Sequence, residues 1–347
     1  MKPTVVIDSS PLSSAHQGRG VGTYTRNLIA AVKAAPSPFT VTASPHPSTL
    51  KADLIHYPYF DLFFHTLPLY QPGKTVVTIH DLIPLIYPDH FKKGLKGTIK
   101  LALQRQSLNS VNHIITDSAA SKRDIVKFFR LPSQQITVIP LAAGAQIHQV
   151  SLTAQTRLRQ HHHLQDRFIA YVGDINYNKN LPATIQAVAK LNHLQLVIAT
   201  RASLDQNIPE VLAIKRELDK LPSPDLVKFI HLNSAGELSA FYSAADWYIQ
   251  PSLYEGFGLP VLEAMQVGTP VLCSSASSLP EVAGDAAVYF SPVSSDKIFQ
   301  ALTQAINFNK TQKDRLVRQG FAQAQKFSWE QTAARTIGVY QQVLNHP

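Results

Sequence analysis

Cysteine is almost absent from this chain of 347 residues, where Cys273 stands alone. No internal disulfide can form, which excludes a secreted disulfide scaffold and, with it, a multi-cysteine zinc module. Charge is sparse as well: Asp, Glu, Lys and Arg make up 16% of residues against 45% hydrophobic ones, a balance foreign to disordered chains and long coiled coils. No apolar run is clean enough to span a bilayer. The longest uncharged stretch, residues 131–156, is interrupted by Pro132, Gln134, Gln135, Pro140, Gln146, His148 and Gln149. The N-terminus reaches Asp8 after only Val5-Val6-Ile7, which is no signal peptide. A cytoplasmic protein is expected, with contact at the inner face of the membrane left open.

Glutamate is missing from most of the chain, the first being Glu210. Residues 1–150 carry 15 Lys or Arg against seven Asp, a net +8, whereas the remainder carries 17 against 16, a net +1. At roughly 150 residues per domain the length suggests two domains. The charge asymmetry gives them different partners, the basic one meeting something anionic.

What is present is a rhythm of short β-branched runs, each followed by a helical stretch. They fall at residues 4–8, 39–43, 53–57, 75–79, 113–117 and 136–140, then at 168–173, 194–199, 227–232, 247–250, 270–273 and 286–290. The runs are continuously apolar rather than alternating, as parallel strands covered on both faces are. Two successive sets of six read as two doubly wound α/β domains. Ser118 caps a helix through Phe129, Ser234-Ala235-Gly236-Glu237 is a capping-box sequence, and Ser328 precedes a final helix over residues 329–344. The stretch after Pro140, up to about Gln165, reads as a linker. Its neighbours His161-His162-His163 cannot all face one metal from a helix and read as linker residues.

In open parallel sheets ligands bind beyond the carboxyl ends of the strands. Two such domains facing each other place those ends on a shared cleft. The most informative turn runs from Gln250 through Pro251-Ser252-Leu253-Tyr254-Glu255-Gly256-Phe257-Gly258-Leu259-Pro260-Val261-Leu262 to Glu263. Its glycines permit close backbone approach, Pro260 suits a first helical turn, and Gly268 closes the helix. A helix N-terminus there offers N–H groups and a positive dipole end to a phosphate or diphosphate. Glu255 and Glu263, flanking an anion site, serve as acceptors for hydroxyls. A ligand with phosphate between two polyols fits; an ordinary strand-to-helix turn is the alternative.

Glu255-x7-Glu263 around Gly-Phe-Gly-Leu-Pro resembles the signature of the retaining GT-B glycosyltransferases of family 4, the glycosyl transferases group 1. Similar to that family are also Gly268-Thr269-Pro270-Val271, Leu279-Pro280-Glu281-Val282-Ala283-Gly284-Asp285, Phe327-Ser328-Trp329-Glu330, Tyr171-Val172-Gly173 with Lys179-Asn180, Ile79-His80-Asp81-Leu82, and the opening Val6-Ile7-Asp8 with Gly20-Val21-Gly22. The resemblance covers nearly the whole chain. It implies a GT-B fold of two Rossmann-like domains: an acceptor-binding one over residues 1–150, with the terminal helix 328–347 packing back on it, and a nucleotide-sugar-binding one over 165–327.

By the same resemblance Glu263 accepts hydrogen bonds from the donor ribose. Glu255 sits beside the donor sugar and stabilises positive charge at the anomeric carbon. Backbone N–H groups around Gly256, Phe257, Gly258 and Leu259 hold sugar hydroxyls or diphosphate oxygens, and Lys179 neutralises the leaving diphosphate. The chain contains no Asp-x-Asp, and no metal or other cofactor is expected. Asp174 and Asn178 stand where many relatives carry Arg, Ser or Thr and a second basic residue. An ionised Asp174 aimed at a diphosphate would repel it, so it is expected to face away. Arg201 either supplies a replacement charge or is a solvated surface residue.

The resemblance also implies a catalytic part for His80, orienting hydroxyls or polarising the reacting centre, and places Asp81 beside it in the acceptor or phosphate loop; a lone strand-end histidine is otherwise a packed polar residue. Gly18-Arg19-Gly20-Val21-Gly22 is no dinucleotide fingerprint, and at the end of the first strand Gly20 and Gly22 are assigned to a loop meeting phosphate or acceptor. Lys92, Lys96 and Lys100 recur every four residues beside Lys93 and Arg105, with Phe91, Leu95, Ile99, Ala102 and Leu103 as an apolar side. This is either a solvated surface helix, weakened by Gly94 and Gly97, or one that lies on an anionic bilayer. No basic-aromatic platform accompanies the charge, so nucleic acid is not expected as a partner.

The function expected is retaining transfer of a hexose, mannose from GDP-mannose first, from a nucleotide sugar to a glycan or lipid-linked acceptor in polysaccharide biosynthesis. Alternatives are a nucleotide-sugar 2-epimerase on the same fold and a non-catalytic sugar-nucleotide-binding module.

Overall fold

The computed structural model describes residues 2–14 and 20–345. The chain divides into two compact units, one formed by Met1–Ala142 with Phe327–Pro347 and the other by Ala143–Lys326.

The first unit holds six parallel strands, β1 (Thr4–Asp8), β2 (Thr40–Ser44), β3 (Leu54–Tyr57), β4 (Lys74–Thr78), β5 (His113–Thr116) and β6 (Ile136–Val138), in the order β2-β1-β3-β4-β5-β6. Its helices are α1 (Gly20–Ala34), α2 (Ile83–Ile86), α3 (Gly94–Leu108) and α4 (Ala119–Phe129). Every residue of β3 and β5 is buried, whereas the edge strand β2 alternates between exposed and half-covered positions. The β-branched runs are continuous where the strand is central and diluted by Thr and Ser where it is not. The α4 cap forms as the sequence predicts, Ser118 Oγ accepting from Ser121 N at 3.0 Å.

The terminal helix, Trp329–Asn345, belongs to this unit and packs on α1, β4 and β5. Its inward stripe includes Ala333, Ile337, Tyr340 and Val343. Polar contacts reinforce it: Tyr340 Oη lies 2.7 Å from His56 Nδ1, and Lys74 Nζ donates to the carbonyls of Val343 and Leu344 at 3.0 and 3.2 Å. The last contact places a cation on orphan carbonyls at a helix C-terminus. His56 is fully buried; burial, aided by His80, pulls its pKa down to about 3, so the ring is neutral in this core.

The second unit holds β7 (Phe168–Val172), β8 (Gln195–Ala199), β9 (Val227–Ile230), β10 (Trp247–Gln250), β11 (Val271–Ser274) and β12 (Ala287–Phe290), all parallel, in the order β12-β11-β10-β7-β8-β9. Its helices are α5 (Leu152–His161), α6 (Leu181–Leu191), α7 (Pro209–Leu218), α8 (Ala235–Ala244), α9 (Leu259–Gln266), α10 (Leu279–Ala283), α11 (Ser295–Ile306) and α12 (Lys310–Ala324). Counted within the unit this is the 3-2-1-4-5-6 order, which reverses direction between β7 and β10. That reversal opens a crevice at their carboxyl ends, where open α/β sheets bind nucleotides.

Two sequence expectations change. The stretch read as a linker contains α5, which Ser151 caps and which packs on α8 through Arg159, donating to the Ala244 carbonyl. The capping box at Ser234 is half formed: Ser234 Oγ accepts from Glu237 N at 3.1 Å, but the Glu237 carboxylate takes the Asn233 N–H at 2.7 Å instead of that of Ser234.

Candidate active site

The β10-to-α9 turn and the turn after β7 meet at the reversal point of the second sheet. Lys179 Nζ lies 2.7 Å from Glu255 Oε1 and 2.9 Å from Oε2, so one carboxylate holds two of the three ammonium hydrogens. Glu255 Oε1 also accepts from Gln250 Nε2 at 2.9 Å and Ser252 Oγ at 2.6 Å. The carboxylate is buried yet saturated with donors, the condition under which a buried charge is tenable. Gln250 is in turn fixed by Tyr248, whose hydroxyl donates to Oε1.

The loop around Glu255 is fastened from α10. Ser277 Oγ takes the Glu255 N–H at 2.8 Å, and Ser278 Oγ shares its proton between the carbonyls of Glu255 and Phe257 at 2.9 and 2.8 Å. Gly258 has φ +113°, and a Cβ there would fall 2.8 Å from Leu279 Cδ2. This glycine answers to its own backbone and to α10. Gly256 and Phe257 are buried in the loop, and Leu259 is the first residue of α9. One turn into α9, Glu263 Oε2 accepts from Tyr242 Oη at 2.9 Å. Desolvation raises the Glu263 carboxyl above its ordinary range, with the Tyr242 hydrogen bond pulling the other way.

The departures at Asp174 and Asn178 have visible outcomes. Asn178 is buried and serves as a strut, its Nδ2 donating to Tyr254 O at 3.0 Å and its carbonyl accepting Leu253 N at 2.7 Å. Asn180, in a left-handed turn, donates to Pro251 O and Pro292 O at 3.2 and 2.9 Å. A second basic residue is thus traded for a clamp that sets Lys179 against Glu255. Asp174 supplies its carbonyl to the Tyr171 hydroxyl at 3.2 Å. Arg201 is exposed beyond β8, on the turn next to this one.

The remaining sequence candidates lie in the first unit. His80 follows β4; its Nδ1 lies 2.6 Å from Asp117 Oδ2 and its Nε2 3.1 Å from the Pro58 carbonyl oxygen. The Tyr24 ring meets its face edge-on at 4.6 Å. Burial works against charge on this ring, but Asp117, Asp81 and the Pro58 carbonyl outweigh it and raise the His80 pKa. Both ring nitrogens therefore already face protein acceptors, which fixes the ring and favours its protonated form. Asp81 Oδ1 accepts from Ile83 N at 3.0 Å, closing the turn that leads into α2. Gly20 and Gly22 are helical, in the first turn of α1, not in a loop as the sequence suggested, while Gly18 and Arg19 lie outside the described residues.

Sequence reasoning missed Asp117, Gln250, Ser252 and Tyr242. For Asp117 the signal existed but needed strand order: β4 pairs β5 with Thr78 opposite Ile115, and the same register puts His80 opposite Asp117. Gln250 and Ser252 stand inside the recognised turn, five and three residues before Glu255, where only the folded loop shows them turned onto its carboxylate. Among the described residues no group of three His, Cys, Asp or Glu side chains is placed to hold a metal ion, and no helix is long and apolar enough to cross a membrane.

Two family profiles match the chain, Glycosyl transferases group 1 over residues 154–320 and Glycosyltransferase Family 4 over residues 43–143. O-antigen chain mannosyltransferase B of Escherichia coli is 28% identical over 291 residues, covering 81% of this chain and 74% of that protein. Serotype-specific mannosyltransferase WbdA of the same organism is 28% identical over 286 residues, 79% of this chain but 34% of its own length. Sucrose-phosphate synthase from Thermosynechococcus elongatus superposes with a TM-score of 0.78 at 19% identity over 100% of both chains. Fold and family together define a glycosyltransferase of GT-B architecture. The chain belongs to the glycosyl transferases group 1, family 4.

Proposed function

We propose that this glycosyltransferase moves mannose from GDP-mannose to a glycan or lipid-linked acceptor, with retention at the anomeric carbon and without a metal ion, in polysaccharide assembly. The observation that carries the reading is the Glu255 carboxylate held by Lys179, Gln250 and Ser252 at the sheet's reversal point. The mannosyltransferase relatives support mannose as the sugar.

In this reading the diphosphate lies at the N-terminus of α9 and takes the third ammonium hydrogen of Lys179, while Glu263 accepts the ribose hydroxyls. As the bond from the anomeric carbon to the diphosphate oxygen breaks, its electron pair leaves with the nucleotide, and Lys179 offsets the charge that accumulates there. Glu255, on the sugar side, stabilises the positive charge developing at carbon. The acceptor oxygen bonds to that carbon on the face the diphosphate vacates and its proton passes to the departing phosphate oxygen. With Lys179 as the counter-charge to the diphosphate, the reaction is assigned no metal. The protein works at the cytoplasmic face of a membrane where its acceptor is lipid-linked.

Thermal-shift titration with GDP-mannose, GDP, UDP-glucose and ADP-glucose tests the donor, since a ligand bound only by the folded state raises Tm. GDP-mannose is expected to give the largest rise. A larger rise with a uridine or adenosine sugar overturns the donor assignment, and no rise with any of them overturns nucleotide-sugar binding. Proton NMR of the product reads the anomer, and a β-mannoside overturns retention.

A further inference from the structure

Helix α3 is built inside out. Its inward residues are Gly97, Leu101, Gln104, Ser107 and Leu108. Gln104 is fully buried and satisfied by the loop that covers it, donating to Asp61 O and Thr66 Oγ1 at 3.0 and 2.9 Å and accepting from Leu67 N at 3.3 Å. Its apolar stripe points the other way: Leu95, Ile99 and Leu103, spaced one turn apart, are 80%, 55% and 39% exposed. A surface helix of a soluble domain buries such a stripe.

The covering loop adds to the same region. Phe63 packs against α3 at Gly97, and its neighbour Phe64 is 64% exposed with Lys100 Nζ 5.0 Å from its ring centre. Tyr70, in the same loop, is 80% exposed. Of the eleven large hydrophobic side chains exposed among the described residues, six fall between residues 64 and 103. Lys96 and Lys100 lie along α3 beside the leucine stripe, Lys92 and Lys93 precede it, and no Asp or Glu occurs from residue 90 to residue 116.

We infer that the outer face of α3 with the 64–70 loop is a docking surface for an anionic lipid bilayer. Charge complementarity selects this occupant. A run of lysines without a single carboxylate attracts a surface of phosphate head groups, and the apolar side chains standing between them enter the boundary below. A second copy of this chain would bring the same lysines against themselves. The inference deepens the proposed lipid-linked acceptor, resting on that reading only for its purpose; the contact itself is read out as binding.

The test is flotation of the whole chain with phosphatidylcholine vesicles, with and without 30% phosphatidylglycerol (about that fraction gives a strongly negative surface). Binding is expected only to the anionic vesicles. Each basic residue near such a surface contributes roughly a fivefold factor, so Lys96→Gln with Lys100→Gln is expected to weaken binding about thirtyfold. Leu95→Ser with Ile99→Ser is expected to abolish it, with wild-type Tm because both side chains face outward.

Wild-type indifference to anionic vesicles overturns the inference. So does equal binding by both double variants, or a dimer in solution that Leu95→Ser with Ile99→Ser splits. Thermal shift with nucleotide sugars, read in parallel, separates failure here from failure of the proposed donor site: the variants keep their nucleotide response whichever way the vesicle result falls.

Discussion

Asp117 faces His80 across the ends of two paired strands, its Oδ2 2.6 Å from the ring Nδ1 while its Oδ1 is buried without a hydrogen-bond partner. The pair shares a proton between a buried carboxylate and a part-buried ring, and the Pro58 carbonyl on the far ring nitrogen favours the doubly protonated ring. Burial alone would have made this histidine neutral, as it does His56.

Asp117→Asn is therefore expected to make stability less dependent on pH. A histidine whose pKa is raised by folding contributes fully below its unfolded value, about 6.5, and loses that contribution as pH rises through the folded value. The variant is expected to be less stable than wild type by about 1–3 kcal/mol at pH 6, with the gap narrowing by pH 9. Urea unfolding at both pH values measures it, and a gap that does not change with pH would show that His80 is uncharged in the folded protein.

Glu255→Gln keeps the size and acceptor oxygen of the side chain but removes its charge. Turnover is expected to fall by about two to three orders of magnitude, the usual consequence of deleting one electrostatic stabiliser of a transition state. Donor binding is expected to persist, because Lys179 is released toward the diphosphate. Steady-state kinetics with a fixed acceptor preparation reads both, and an unchanged kcat removes Glu255 from the reaction.

Gly258→Ala combines a positive φ with a clash on Leu279. A loss of more than about 1 kcal/mol is expected, together with weaker nucleotide binding, since the turn that carries Glu255 must shift. Adding Leu279→Ala removes the clash but not the backbone strain, so the double variant is expected to recover nucleotide affinity only in part. Complete recovery would show that contact with α10 alone demands the glycine.

Tyr340→Phe removes the hydroxyl that His56 meets and leaves a buried ring nitrogen without that partner. The expected cost is about 1–3 kcal/mol in the first unit, with the nucleotide response of the second unit unchanged. Chemical denaturation followed by intrinsic fluorescence, alongside the thermal-shift titration, checks both halves of this statement.

The strands were legible because central parallel strands must be apolar on both faces, as Leu54, Ile55, Val197 and Ile198 are. The Glu255 turn was legible because glycine, proline and paired carboxylates leave a mark in a short span. Strand order was not, since pairing is decided between residues far apart; hence the partnership of His80 with Asp117 and the meeting of Lys179 with Glu255 were invisible. Helix α3 shows a different limit. Its heptad-like spacing marked an apolar side correctly, but which side faces the sheet was decided by Gln104, whose three hydrogen bonds make a polar residue the better core partner.

The first unit is completed by residues from Phe327 onward, after the entire second unit has been spelled out. On a ribosome this reverses the usual order of maturation, in which the N-terminal part is finished first. Through the synthesis of the intervening segment His56 lacks the Tyr340 hydroxyl and Lys74 lacks the carbonyls of Val343 and Leu344. During that interval β4 lacks the terminal helix that packs on it, and the nascent chain depends on whatever shields that surface in the meantime.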